Sequence, residues 1–296
     1  MTKWLRRFGI GLGVLLGVLA LGVGLAIAES RSRLAERSVV TDDAVTVPTD
    51  EAGLAEGRRL FLARGCADCH GERGEGRVVM DDAPGRLVAT NLTELPGRFD
   101  DADYVRAIRD GIAPDGRPLV FMPSNEYHGL SDRDVGALIA YLKALPPVTS
   151  ALPVTEVRPL GHVLHVAGVF PLVPAERIDP SAQREPAPEP APTAEYGRYL
   201  AVGCTGCHGE GLSGGPIPGA PPELGVPGDL TPHATGLLAW DEAAFVRAMR
   251  TGMRPDGTQL NPQQMPWRSL QHMTDVELQA LYAYLRTVAP REAGTR

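Results

Sequence analysis

The sequence predicts an all-α protein in which an N-terminal transmembrane helix precedes two tandem helical domains of similar sequence. Three observations support this. An uncharged run of 21 residues lies near the N-terminus, a segment from the middle of the chain recurs near its end, and apolar residues repeat at helical spacing while no alternating run predicts a strand. The composition, 43% hydrophobic and 22% charged, is that of globular domains and excludes a disordered or fibrous chain.

The apolar run Phe8–Ala28 matches, as a helix, a hydrocarbon core of roughly 30 Å. Lys3, Arg6 and Arg7 precede it, so the positive-inside rule places the rest of the chain outside the cytoplasm. A cleaved signal peptide is the alternative, because Ala26-Ile27-Ala28 resembles a small-x-small cleavage site. The run is longer than the roughly 7 to 15 apolar residues of a cleaved signal, which favours an anchor.

The exported part of the chain is acidic. Three of the 29 basic residues precede the apolar run, so 26 basic residues face 36 acidic ones beyond it, for a net charge of about −10. This balance argues against a nucleic-acid surface. Lys3 and Lys143 are the only lysines, so a positive docking surface would have to consist of arginine.

Two parts of the chain repeat each other. Tyr104–Leu119 and Phe245–Leu260 share nine identical residues in sixteen without a gap. The surrounding motifs follow in the same order in both copies, at an offset that drifts only from 138 to 143 residues. Self-similarity of this kind indicates two copies of one domain.

The repeat and the composition together divide the chain into five parts. They are a transmembrane anchor or signal (1–28), a juxtamembrane linker (29–47), a first domain with a C-terminal extension (48–179), a proline-rich linker (180–193) and a second domain (194–291). The linker, rich in Pro, Ala and Glu, should be extended. The apolar stretch 160–173 should dock on the first domain as a short helix, since Pro171 and Pro174 disfavour a long membrane-surface helix.

The helices of each copy have recognisable first turns. Asp241 in the second copy, and Asp100 or Asp101 in the first, are placed to cap a helix. The last helix of the second copy begins with the capping box Thr274-x-x-Glu277, and that of the first copy begins with the analogous Ser131-x-x-Asp134.

All four cysteines lie in two Cys-x-x-Cys-His strings, which are the signature of c-type haem attachment. Two thiols on one helical turn can form thioethers with the two vinyl groups of a porphyrin, and the adjacent histidine is aimed at the iron. The predicted attachment residues are Cys66, Cys69, Cys204 and Cys207, and the predicted proximal ligands are His70 and His208.

Other uses of the cysteines fit the sequence less well. A redox-active pair would require a thioredoxin-like βαβ context, which is missing. A zinc site normally keeps its two pairs within about 15 to 20 residues, whereas 134 residues separate Cys69 from Cys204. A disulfide across two residues would close a trivial loop and stabilise little.

Met122 and Met265 are the predicted sixth iron ligands. Each is followed by proline and lies between the repeated Pro-Asp-Gly turn and the last helix of its copy. A thioether ligand raises the reduction potential relative to a second nitrogen. His128 and His272 have no equivalent in the other copy and should be surface residues or propionate neighbours. The other methionines lack an equivalent or lie on helix faces, where core packing is expected: Met80, Met249, Met253 and Met273.

Both copies resemble class I c-type cytochrome domains, such as those in diheme and multiheme cytochrome subunits of membrane-bound bacterial dehydrogenases. The first copy keeps Asn91-Leu92-Thr93 and Pro114-Asp115-Gly116 but lacks the Thr-Gly and Trp positions. The second copy carries the fuller pattern: Asp229-Leu230-Thr231-Pro232, Thr235-Gly236, Trp240, Pro255-Asp256-Gly257 and Met265-Pro266-Trp267.

The resemblance implies three to five helices around each haem. It also implies that the first and last helices cross near Gly57 against Tyr141 in one copy and near Gly197 against Tyr284 in the other.

The predicted protein is therefore a membrane-tethered periplasmic electron carrier with two covalently bound haem c groups. It would pass single electrons from a membrane dehydrogenase or quinol-oxidising complex to an oxidase or soluble cytochrome. The alternative is a diheme enzyme of the peroxidase or thiosulfate dehydrogenase type, in which one iron is open to substrate. Because both copies keep the methionine, the carrier is favoured.

Overall fold

A computed structural model describes residues 2–38, 44–179, 186–218, 220 and 222–296 of the chain. Most of the regular structure is helical, in agreement with the predicted fold class. In chain order the helices are α1 (Thr2–Ala35), α2 (Glu51–Ala63), α3 (Cys66–His70), α4 (Asp101–Val105), α5 (Ser124–Tyr127), α6 (Asp132–Lys143), α7 (Pro159–Val166), α8 (Ala194–His208), α9 (Glu242–Thr251), α10 (Trp267–Leu270) and α11 (Asp275–Leu285).

Helix α1 is long and apolar enough to cross a membrane. Its 34 residues extend about 51 Å at 1.5 Å per residue, which is well beyond a hydrocarbon core of roughly 30 Å. The helix continues to Ala35, so the beginning of the predicted juxtamembrane linker is helical. Residues 39–43 of that linker lie outside the described residues.

In each half the first helix crosses the last one. A Cβ on Gly57 would overlap the carbonyl of Ala137 and lie 2.8 Å from the Cβ of Tyr141. A Cβ on Gly197 would likewise overlap the carbonyl of Ala280 and lie 2.7 Å from the Cβ of Tyr284. Glycine therefore allows α2 to pack on α6, and α8 on α11, backbone to backbone. The predicted crossings are confirmed.

Side chains cap the helices where the sequence places them. Asp241 accepts the amide of Ala244 at 2.7 Å, and Asp100 rather than Asp101 caps α4. Thr274 and Glu277 form a reciprocal capping box on α11. Each such contact satisfies an amide that has no partner inside the helix.

The structure also contains a small sheet that no alternating run of the sequence predicts. Strands β1 (Arg77–Asp82), β2 (Gly85–Ala89) and β3 (Glu156–Val157) form an antiparallel sheet in the order β1-β2-β3. β1 is mostly exposed and has an irregularity between Val78 and Met80, which breaks the alternation that predicts a strand from sequence.

The extension after the first domain folds back onto it. Gly161 of α7 lies against the carbonyl of Pro84, and α7 also packs against the C-terminal end of α1. The extension thus connects the sheet and the first domain with helix α1. Of the predicted proline-rich linker, residues 180–185 lie outside the described residues.

Candidate haem-binding sites

The first Cys-x-x-Cys-His string forms a helix of its own. α2 ends at Ala63, the chain turns at Gly65 with φ 73°, and α3 then carries the string. In the second half α8 runs without interruption through Cys204 to His208. The turn after α2 explains why the offset between the copies drops from 140 at the helix crossing to 138 at the string.

Both histidines are oriented by a backbone carbonyl. Nδ1 of His70 lies 2.9 Å from the carbonyl oxygen of Thr90, and Nδ1 of His208 lies 2.7 Å from that of Gly228. An N–H donated from Nδ1 leaves Nε2 as the nitrogen available to a metal. Burial lowers the pKa of both imidazoles, which keeps them in the neutral form that an iron ligand requires.

The predicted residues of the first half surround one cleft. It is lined by Cys66, Cys69, His70 and Met122 together with mostly apolar side chains. A largely apolar cleft that has two thiols, a histidine and a methionine among its lining residues fits covalent haem.

The second half places its predicted residues around an equivalent core. Cys204 and Met265 pack against the apolar cluster that contains Leu200 and Phe245, and the His208 side chain is buried. Cys207, the second predicted attachment residue of this half, is exposed.

The two methionines predicted as axial ligands lie on matching turns. The residue after each is a proline of nearly identical conformation, φ −77° and ψ 54° at Pro123 and φ −78° and ψ 54° at Pro266. The next amide bonds back to the methionine carbonyl at 2.8 Å in the first half and 2.7 Å in the second. Equivalent backbone geometry supports equivalent roles for Met122 and Met265.

All four thiols have raised pKa values, and burial is the main cause. Burial raises the pKa of Cys66 to about 12 and that of Cys204 to about 11, and it also raises the pKa values of Cys69 and Cys207. Reactive dithiols have lowered pKa values, so a thioredoxin-like role does not fit. Among the described residues, no three His, Cys, Asp or Glu side chains converge as a zinc site requires.

The remaining methionines and histidines occupy other places. Met249 and Met273 are buried in the second core, and Met80 lies on β1 beside a small apolar cluster. Met253 pairs through its backbone with Gln259. Nδ1 of His128 lies 3.2 Å from the carbonyl oxygen of Arg109.

Sequence reasoning missed the residues that orient the histidines. Thr90 and Gly228 act through their carbonyls, so their side chains give no direct signal. Each of them immediately precedes a recognised motif, Asn91-Leu92-Thr93 or Asp229-Leu230-Thr231, and that position is the signal that could have found them. In both motifs the first side chain caps the turn by accepting the amide of the threonine, at 3.0 Å for Asn91 and 2.8 Å for Asp229.

Comparison with known proteins agrees with this geometry. The chain is 36% identical over 268 residues to the fructose dehydrogenase cytochrome subunit of Gluconobacter japonicus, covering 81% of this chain and 54% of that one. It is 29% identical to the gluconate 2-dehydrogenase cytochrome c subunit of Pantoea cypripedii, covering 83% and 62%. It is 28% identical to a diheme cytochrome c-type protein of Cereibacter sphaeroides, covering 79% and 85%. The chain thus spans less than two thirds of the two dehydrogenase subunits.

The family profile described as cytochrome c matches two segments, residues 54–146 and 194–289. Each segment contains one Cys-x-x-Cys-His string and one Met-Pro turn. Two matches in tandem account for most of the chain beyond its N-terminal helix. The protein belongs to the cytochrome c family, and this membership supports covalently bound haem c as its cofactor.

Proposed function

We propose that the protein is a membrane-tethered diheme cytochrome that transfers single electrons between a membrane dehydrogenase or quinol-oxidising complex and a terminal acceptor, an oxidase or a soluble cytochrome. One observation carries the proposal. The same constellation, a histidine held by a backbone carbonyl beside two cysteines and a methionine on a Met-Pro turn, occurs once in each half.

The cofactor residues follow from this constellation. We assign covalent haem attachment to Cys66, Cys69, Cys204 and Cys207, and the axial ligands to His70 with Met122 and to His208 with Met265. Haem supplies the one-electron chemistry when bound. The protein's own contribution is to fix the imidazole orientation through Thr90 and Gly228, to supply the thioether and to exclude water by apolar packing.

The proposed partners rest on the relatives. Two of them are named as cytochrome subunits of a fructose dehydrogenase and a gluconate 2-dehydrogenase, which supports a dehydrogenase as the electron donor. Helix α1 supports a membrane anchor, and Lys3, Arg6 and Arg7 before its apolar run support a periplasmic location of both halves. A diheme enzyme would need one open iron, whereas the matching Met-Pro turns favour two closed ones.

Haem content and ligation can be tested in the full chain purified in detergent. A pyridine haemochrome assay should give two haems per polypeptide, and the oxidised protein should be low-spin in both halves. Met122→Leu and Met265→Leu keep the side-chain volume but remove the thioether, so each should open one iron and lower the potential of that half only.

The matched controls replace methionines that we place outside the sites. Met80→Leu in the first half and Met253→Leu in the second should leave both spectra unchanged. Fewer than two haems would contradict the diheme assignment. An unchanged spectrum for Met122→Leu or Met265→Leu would mean that another residue is the ligand, and rapid carbon monoxide binding by half of the iron in the unmodified protein would favour the enzyme.

A further inference from the structure

The two halves contact each other through equivalent elements. α10 of the second half packs on α2 of the first, and α5 of the first half packs on α8 of the second. α5 and α10 are the short helices that follow the Met-Pro turns, and α2 and α8 are the first helices of their halves. Exchanging the halves therefore exchanges the two contacts, which is the relation expected of a pseudo-two-fold axis.

Two polar pairs between the halves are also exchanged when the halves are exchanged. Arg59 of the first half donates to both carboxylate oxygens of Glu277 at 2.7 and 3.0 Å. Tyr199, the counterpart of Arg59 at an offset of 140 residues, donates its hydroxyl to Asp134 at 2.8 Å. Asp134 is in turn the counterpart of Glu277, at an offset of 143.

Tyr199 also completes the first turn of α6. Its hydroxyl accepts the amide of Ser131 at 3.0 Å, while in the second half Glu277 itself accepts the equivalent amide of Thr274 at 2.6 Å. Asp134 has a shorter side chain than Glu277, and the phenol of the other half bridges the gap. One half thus caps a helix of the other.

At the haem-attachment strings the two contacts are complementary. Asp68, inside the first string, accepts the hydroxyl of Ser269 on α10 at 2.9 and 2.8 Å. The counterpart of Asp68 is Gly206, and the counterpart of Ser269 is Glu126 on α5. Glu126 occupies the space that a side chain on Gly206 would need. Each contact therefore contains one carboxylate. In one contact it belongs to the string (Asp68), and in the other it belongs to the facing short helix (Glu126).

We propose that the two halves dock through this pseudo-two-fold seam, defined by the pairs Arg59–Glu277, Tyr199–Asp134, Asp68–Ser269 and Glu126–Gly206, and that haems held by the two strings would exchange electrons across it. The inference rests on the proposed function, because it requires a haem in each half. The exchange would reduce one haem as it oxidises the other, with no swing of the halves about the proline-rich linker. The seam residues are positioning residues.

Substitutions at the contact between Gly206 and Glu126 provide the test. Gly206→Asp places a second carboxylate against Glu126, and Glu126→Ser added to it recreates the Asp68–Ser269 pair of the other string. The measurements use the full chain in contrast-matched nanodiscs at pH 8, above the pKa of about 7 that burial gives Glu126. Neutron scattering reports the separation of the halves, and single-electron photoreduction reports exchange between the haems.

We expect Gly206→Asp to raise the undocked fraction about tenfold or more, because juxtaposed like charges oppose docking, and to slow exchange accordingly. The double variant should restore both readouts. Unchanged separation and exchange in Gly206→Asp would overturn the inference, and so would a double variant that stays as impaired as the single one.

A second variant covers the case in which Gly206→Asp fails to take up haem. Tyr199→Phe changes no residue of either string and removes only the bridging hydroxyl, so it should raise the undocked fraction about tenfold, which corresponds to ~1.4 kcal/mol for a lost hydrogen bond. Tyr282→Phe, whose hydroxyl bonds to Trp240 within the second half, is the matched control and should leave the separation unchanged.

Haem counting separates the two proposals. Fewer than two haems per unmodified chain would contradict the proposed function. Two haems with halves that scatter as separate bodies, or a Tyr199→Phe variant that docks and exchanges like the Tyr282→Phe control, would overturn the seam and leave the proposed function standing.

Discussion

Gly197 shows how one missing side chain determines a helix crossing. A Cβ there would overlap the Ala280 carbonyl, which belongs to the backbone of α11 and cannot rotate away. We expect Gly197→Ala to force the two helices apart and to lower the free energy of unfolding by on the order of 1–3 kcal/mol. Denaturant unfolding of the full chain, followed at the haem of the second half, measures the loss.

Gly203 is the matched control, because it lies on the same helix and a Cβ there meets nothing within 4 Å. Gly203→Ala should be neutral or should stabilise the helix by about 0.5–1 kcal/mol, the intrinsic preference of alanine over glycine. Equal stabilities of the two variants would contradict the close crossing.

Single residues of the sites differ in how well the sequence predicts them. The cysteines, His70 and His208 follow from a five-residue pattern, and the methionines follow from their equivalent order in two copies. The carbonyls of Thr90 and Gly228 could not be predicted in this way, because any residue type has a carbonyl and only the fold brings it to the imidazole.

At the scale of elements, the end of α1 is attached to α7 by a buried polar cluster. The hydroxyl of Ser30 lies 2.8 Å from Nδ1 of His162 and 2.9 Å from Nδ1 of His165, and all three side chains are buried. Nε2 of His165 lies 3.4 Å from the carboxylate of Glu176. A hydroxyl can donate to only one ring nitrogen at a time, so the other imidazole donates its proton to Ser30.

This cluster predicts a pH-dependent attachment. Burial, the nearby Arg31 charge and His165 lower the pKa of His162. When α1 and α7 separate, His162 returns to the ordinary histidine pKa of about 6.5 and therefore binds more protons than in the attached state. The attachment is strongest above pH 6.5, and it weakens as the pH falls from 6.5 toward the lowered pKa. Hydrogen exchange of the amides of residues 29–35, corrected for intrinsic rates, should increase between pH 7.5 and pH 5.5.

His162→Asn keeps a polar side chain that does not titrate, and it should flatten this pH dependence. His233→Asn, which changes a histidine bonded only to its own turn through Thr235, should retain it. A pH dependence that persists unchanged in His162→Asn would assign the effect to another group.

Helices whose signals lie within their own residues could be predicted from the sequence, but the small sheet, which depends on distant partners, could not. α2, α6, α9 and α11 have capping residues and apolar periodicity within their own sequence. β3 has only two residues, and its partner β2 lies about 70 residues earlier in the chain. β1 ends in Met-Asp-Asp and faces solvent. The sheet therefore depends on tertiary contacts that no short window of sequence contains.

At the scale of the whole molecule, the duplication predicts two equal halves but not how they meet. Tyr199 and Arg59 lie on helices that are amphipathic with or without a neighbour, and their partners lie more than 60 residues away in the chain. The pairing becomes visible only when both halves are placed in space, where polar side chains of one half complete the helix ends of the other.

The Arg59–Glu277 pair should therefore couple the stabilities of the two halves. The Glu277 side chain is 4% exposed and the Arg59 side chain 22%, so Arg59→Met leaves a buried carboxylate without its main partner. We expect a loss of about 3 kcal/mol, the lower end for such a removal because Arg59 is partly hydrated. Thermal unfolding followed separately at each haem should change from one shared transition to two.

Two variants decide whether this loss comes from the seam. Glu277→Gln combined with Arg59→Met removes the unpaired charge and should recover part of the stability, since the two residues act on one interaction. Arg254→Met removes a positive charge that is 47% exposed and faces Asp256 of its own turn at 3.9 Å, and it should leave the shared transition intact. If Arg59→Met and Arg254→Met unfold alike, the ion pair does not join the halves, and their coupling must come from the other seam pairs.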